Sequence, residues 1–92
     1  MATSGAGAVI SGPLLAQLRD ALLDAFPTWK ALEMMVELQL DERLGNVVSP
    51  GALREVVYDL LTWARAQGRL GELVAAARRE NGGNARLAEA AA

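Results

Sequence analysis

Few side chains in this sequence could do chemistry near neutral pH. The 92 residues include neither histidine nor cysteine, and Lys30 is the single lysine. A catalytic lysine needs burial, whereas Lys30 follows Trp29 at the start of a predicted helix, which indicates a solvated position. Without histidine and cysteine, the chain has no disulfide or thiolate chemistry and lacks the usual zinc ligands.

Two pairs of carboxylates, Glu33 with Glu37 and Asp41 with Glu42, could in principle serve general acid–base catalysis. Glu33 and Glu37 are four residues apart and lie off the apolar line of their helix, which is the ordinary pattern of a solvated face. The glycines near the N-terminus are not followed by the Lys-Ser/Thr of a phosphate-binding loop. We therefore predict that the chain is not an enzyme and binds no cofactor or metal.

The strongest structural signal is one helix in the second half of the chain. Ser49 is a predicted N-cap with Pro50 in the first helical position, and Gly68 is a predicted C-terminal stop because glycine adopts left-handed angles readily. Between them, six apolar residues recur at helical spacing and form one stripe: Leu53, Val56, Val57, Leu60, Leu61 and Ala64. A stripe of this kind must be covered by other helices.

Similar patterns predict the remaining elements. A first helix starts near Pro13, with Ser11 or Gly12 as its cap, and ends before Pro27. Thr28 caps a second helix, and a short helical segment is expected over residues 42–47. A fifth helix covers residues 69 or 70 to 79, and Asn84 caps a last one over about residues 85–90. The inward positions are expected to include Leu14, Leu18, Ala21, Leu22, Ala25, Leu32, Met35, Val36, Leu70, Leu73, Val74, Ala77 and Leu87.

These elements define an all-α fold, a compact bundle of five or six short helices in residues 13–90, preceded by a flexible leader over residues 1–12. The apolar fraction of 52% is enough for a core. No apolar run approaches the ~20 residues that span a bilayer, and the N-terminus lacks the basic region of a secretory signal. We expect a cytoplasmic protein without membrane contact.

Charge and exposed aromatic groups suggest where a partner could bind. Nine basic and eleven acidic residues give a net charge of −2, so the chain has no broad field for attracting nucleic acid. Trp63 is predicted at the margin of the core, about 90° from the middle of its stripe. The candidate surface joins Trp63 to an acidic face (Asp20, Asp24, Glu33, Glu37, Asp41, Glu42) and a basic face (Arg65, Arg69, Arg78, Arg79).

The bend between Arg65 and Arg69 superficially resembles a helix-turn-helix. The following helix carries no base-reading pattern of Asn, Gln or Arg, and acidic residues lie close by. A small helical nucleic-acid-binding or regulatory domain therefore stays the alternative, and a partner-binding patch is the preferred interpretation.

A set of short motifs lies along about residues 14–90: Ala25-Phe26-Pro27, Leu44-Gly45, Leu61-Thr62-Trp63-Ala64, Gly68-Arg69-Leu70 and the turn from Asn81 to Asn84. With these motifs the chain resembles the bacterial effector-associated domain, type one, a small helical module placed in the death-like superfamily. One departure is Gly82, where the family often has proline.

The resemblance implies an adaptor in bacterial conflict and immunity signalling. One copy of such a domain is fused to an effector, a second to a sensor or NTPase, and association of like with like brings them together. The implied partner is a protein, another copy of the same domain type, and homo-oligomers are possible. This fits a packed helical module without chemistry of its own.

Overall fold

The computed structural model describes residues 11–91, which form six α-helices and no strand. The predicted all-α bundle is therefore confirmed. The helices are α1 (Gly12–Ala25), α2 (Trp29–Leu40), α3 (Leu44–Val47), α4 (Leu53–Ala66), α5 (Leu70–Glu80) and α6 (Ala85–Ala91). The predicted leader lies outside the described residues except for Ser11 and Gly12, and α1 already begins at Gly12.

Three of the predicted helix caps are confirmed. The side-chain oxygens of Ser11, Thr28 and Asn84 each accept a hydrogen bond from the backbone N–H three residues later, at 3.2, 3.0 and 2.8 Å. Each bond satisfies one of the N–H groups that has no partner inside its helix. Local sequence therefore decides where α1, α2 and α6 begin.

The predicted cap of α4 is wrong. Ser49 and Pro50 precede the helix, which begins at Leu53 with Ala52 as the N-cap and no side-chain cap bond. The carbonyl of Ala52 instead accepts the N–H groups of Glu55 and Val56, at 2.9 and 3.0 Å. Gly51 is unfavourable in the helical turn that Pro50 would open, so Ser49, Pro50 and Gly51 belong to the connecting loop.

The end of α4 is a Schellman motif, as Gly68 predicted. Gly68 has φ +71 and donates its N–H to the carbonyl of Arg65 at 3.2 Å, while Arg69 donates to Ala64 at 2.7 Å. These two bonds satisfy carbonyls that the helix itself leaves free. They also fix the direction in which the chain enters α5.

Every side chain in the core of the described residues is apolar. Of the six stripe residues of α4, five are buried and Leu53 is partly buried. Other predicted inward positions are less buried than expected: Leu14, in the first turn of α1, is 37% exposed, and Leu70 and Val74 are only partly buried. Ala76, which was not predicted to point inward, is part of the core.

Short loops predict that consecutive helices are neighbours, and the structure corrects this in part. The most extensive contacts are those of α1 with α6 and of α2 with α5, and α4 lies against α1 and α5. The pair α1 and α2 is not among the helices with extensive contacts. Burial of the apolar stripes decides the pairing, because a short loop brings only the ends of two helices together.

Replacement of Leu60 by aspartate is expected to unfold the domain. Leu60 is fully buried in the apolar core, and an unpaired buried carboxylate costs ~4 kcal/mol or more, a large part of a small domain's stability. Circular dichroism and thermal melting measure the effect. The control is Tyr58→Asp on the same helix, which is half exposed and should change stability by less than about 1 kcal/mol. A folded Leu60→Asp variant would contradict the assigned core.

Gly68→Ala is expected to lower the free energy of unfolding by about 1 kcal/mol, because φ +71 strains any L-residue. A Cβ at Gly68 would meet no atom within 4 Å, so the cost is that of the backbone alone. Gly71→Ala is the matched control: its Cβ is equally unobstructed and its φ is not positive, so it should be neutral or stabilise by up to ~1 kcal/mol. Denaturant titration measures both, and equal effects would rule out the strain.

Candidate interaction surface

Arg69, at the junction of α4 and α5, is a hub of polar contacts. Its Nε and Nη2 donate to the two oxygens of Glu72 at 2.8 and 3.2 Å, and its Nη1 donates to Glu42 Oε2 at 3.0 Å. Nη2 also donates to the backbone carbonyl of Leu40 at 3.2 Å. The guanidinium carbon lies 5.4 Å from the ring centroid of Trp63, within cation–π range.

This arrangement shifts the protonation equilibria of both partners. The hydrogen bonds that Arg69 donates to Glu72, and next the one to Glu42, raise the pKa of Arg69 further above its ordinary value. The hydrogen bond from Arg69 lowers the pKa of the Glu72 carboxyl. Arg69 thus joins the C-terminus of α2 to the start of α5, and its charge is compensated within the chain.

Two of the predicted surface residues, Arg69 and Glu42, are therefore in contact with each other and do not lie on opposite faces. Trp63 and Arg65 are also separated: two positions along an α-helix differ by about 200°, so they point to opposite flanks of α4. Trp63 lies on the flank of α4 that faces Arg69 and its partner Glu72. Arg65 lies on the other flank of α4.

On α5, the two adjacent arginines differ. Arg79 donates from Nε to Gln39 Oε1 at 2.9 Å, and Gln39 Nε2 donates to Glu80 Oε1 at 3.1 Å, which ties α5 to α2. Arg78 is exposed, and no hydrogen bond or ion pair of its side chain occurs within residues 11–91. Of the two, Arg78 offers the more accessible charge.

Besides Glu42, three residues of the predicted acidic face have partners in the folded chain. Asp24 accepts a hydrogen bond from Asn84 Nδ2 at 2.8 Å, which holds the turn before α6 against α1. Asp20 pairs with its neighbour Arg19 at 3.1 Å, and Glu33 lies 3.7 Å from the ammonium of Lys30. The ammonium side chain of Lys30 is 78% exposed, as a solvated lysine should be.

Glu37 and Asp41, the remaining residues of the predicted acidic face, are both exposed, on α2 and at its C-cap. Asp41 is the C-cap of the helix and has φ 56. Left-handed angles are uncommon outside glycine, and aspartate is among the residues that tolerate them best. Asp41 thus ends α2 and presents its carboxylate to solvent.

Sequence reasoning missed three exposed apolar side chains. Met34 and Leu38 are 44% and 65% exposed on α2, and Tyr58 is 46% exposed on α4. Tyr58 lies in a shallow cleft of about 380 Å³ between α1 and α4, lined also by Arg19, Arg54, Glu55 and Asp59. A signal for the α2 pair was present: Met34 and Leu38 are four residues apart and fall on the side away from Leu32 and Val36.

The described residues were also examined for membrane-spanning helices and for metal-binding groups. None of the helices between residues 11 and 91 combines the length and apolar character that crossing a bilayer requires. In the same range, no three residues of the types His, Cys, Asp and Glu come together as a metal-binding group.

Comparison with protein families gives one match. The family model for effector-associated domain 1 matches residues 9–92. The chain belongs to this family. The match includes all six helices, so it covers the whole of the fold described above. This family is not a known catalytic one. No curated protein matches the chain significantly, and no solved structure does.

Within this effector-associated domain, Arg69→Met is expected to lower the melting temperature at neutral pH, because methionine keeps part of the stem and removes all the donors. The folded pKa of Glu72 is lowered, so its stabilising contribution is present above the unfolded value of about 4.5 and is lost as pH falls through the folded value. The difference between wild type and Arg69→Met should therefore shrink below about pH 4.5.

Thermal melts across the acidic range, followed by tryptophan fluorescence and circular dichroism, measure this difference. Arg65→Met is the control, since Arg65 lies on the opposite flank of α4 and should show no such pH dependence. A difference between wild type and Arg69→Met that stays constant with pH would contradict the assigned Arg69–Glu72 pair.

Proposed function

We propose that this effector-associated domain is a non-catalytic adaptor that associates with another copy of the same domain type. In this role it couples an effector to a sensor or NTPase in bacterial conflict signalling, inside the cytoplasm. The observation that carries the proposal is the family match over residues 9–92.

The structure supports a binding role through the side chains that remain available at the surface. Arg69 and Glu42 are engaged with each other, so they are poorly placed to recognise a partner. Arg78, Glu37 and Asp41 are exposed, and their charges are of opposite sign on α5 and α2. Contacts between faces of opposite charge would link one copy to the next in a head-to-tail manner.

Such contacts contribute more to the specificity of binding than to its affinity. Exposed ion pairs contribute about 0–1 kcal/mol each, whereas complementary charge raises the association rate and discriminates against wrong partners. A head-to-tail contact also repeats, and it closes into a ring or extends into a filament depending on the rotation between copies. Both outcomes would cluster the effectors attached to the domains.

The test is self-association measured by light scattering over a range of protein concentration and salt. Arg78→Glu combined with Arg79→Glu should weaken association of the purified chain, and added salt should weaken the wild type in the same direction. Arg43→Glu combined with Arg86→Glu is the matched control, since it changes the net charge equally and uses exposed residues outside the predicted faces.

Thermal melting of each variant shows whether loss of the Arg79–Gln39 bond affects folding. Unchanged association in the folded Arg78→Glu/Arg79→Glu variant would remove the basic face from the proposal. Failure to associate either with itself or with a second effector-associated domain would remove the adaptor role.

A further inference from the structure

The outer face of α2 carries a pair of exposed apolar side chains between two opposite charges. Met34 and Leu38 are 44% and 65% exposed, and Lys30 and Asp41 lie exposed before and after them. A single exposed leucine is ordinary on a protein surface. The order of these four residues along α2 and its C-cap is what suggests a binding surface, named here the α2 strip.

Helix geometry places these four residues relative to each other. Counting 100° and 1.5 Å per residue from the buried Val36, Met34 and Leu38 lie within about 20° of the direction opposite Val36. Lys30 lies about 9 Å before Val36 along the axis, and Asp41 about 7.5 Å after it. The Cα positions of Lys30 and Asp41 fall on the same flank of the apolar pair. Asp41 is the C-cap that directly follows α2.

From these nearly equal distances before and after Val36, we infer that the α2 strip pairs with the α2 strip of a second copy. The two strips are antiparallel and related by a two-fold axis. Such an operation places a residue before Val36 beside a residue equally far after Val36 in the other copy. Met34 then packs against Leu38 of the other copy. Lys30 comes within reach of Asp41 of the other copy on the same flank, and both contacts occur twice.

One residue opposes the arrangement. Glu37 lies about 80° from the centre of the strip on the flank of Lys30 and Asp41, and the two-fold axis brings it near Glu37 of the other copy. At the rim, solvent reduces this repulsion but does not remove it. Glu37→Gln should therefore strengthen the pairing.

This inference rests on the like-with-like association proposed above and differs from the charged faces in its symmetry. A second copy is the occupant because the strip is complementary to itself: apolar at its middle and oppositely charged at its ends. A contact made by one helix from each copy is small, so the pairing is of the weak, transient class.

Zero-length cross-linking with a carbodiimide tests the pairing directly, because Lys30 is the only lysine in the chain. Lys30 and Asp41 of one copy are about 16 Å apart along the helix, so a bond between their side chains must join two copies. Lys30 and Glu33 lie 3.7 Å apart within one copy and provide the internal control. Peptide mapping of a mixture of isotopically light and heavy chains should show the mixed Lys30–Asp41 product.

Variants of the exposed residues provide the second measurement, by sedimentation equilibrium. Met34→Gln with Leu38→Gln should weaken self-association about tenfold or more, through loss of the buried apolar area, and Tyr58→Gln is the control for an exposed apolar side chain elsewhere. Glu37→Gln should tighten it about two- to threefold, whereas the charged-face contact predicts that the same change weakens it.

The outcomes separate the two proposals. Mixed Lys30–Asp41 product, together with tighter association of Glu37→Gln, supports the two-fold pairing. The Lys30–Glu33 product without the mixed product overturns it, and so does unchanged association of Met34→Gln/Leu38→Gln. If the wild type still self-associates in those cases, the adaptor role stands and the contact lies elsewhere. If the wild type does not self-associate at all, the pairing is overturned, and the adaptor role is tested with a second effector-associated domain.

Discussion

The arrangement of the helices depends on covering the apolar stripe of α4. The stripe packs within a core whose side chains are all apolar in the described part of the chain, and α4 lies against α1 and α5. Those helices in turn contact α6 and α2. With few aromatic residues available, many aliphatic contacts and small alanines must fill the space between helices, so close packing is the condition that the rest of the fold meets.

The Schellman motif at Gly68 also determines which side chains meet at the surface between α4 and α5. By fixing the path of the chain between α4 and α5, it places Arg69 where its guanidinium contacts Glu42, Glu72 and the ring of Trp63. A cluster of arginines in the sequence therefore separates into members with different roles. Arg69 holds elements together, and Arg78 stays accessible. Charge counted along a sequence does not distinguish these roles.

The two sides of α2 illustrate why a candidate surface is harder to predict than a core. Leu32, Met35 and Val36 form the inner line that periodicity finds, and they are buried. Met34 and Leu38 form a second apolar line, which sequence reasoning overlooked because an apolar residue near a core pattern is usually assigned to the core. Only the tertiary structure shows that Met34 and Leu38 keep 44% and 65% of their surface exposed within residues 11–91.

The sequence by itself determined the all-α class, three helix caps, the stop at Gly68 and the inner stripe of α4, because each depends on residues close together in the chain. It also carried the family resemblance. The start of α4, the pairing of α1 with α6 and of α2 with α5, and the partners of Arg69 were decided only by the tertiary structure. These features depend on which surfaces meet when every stripe is buried at once, and that is settled by contacts between residues far apart in sequence.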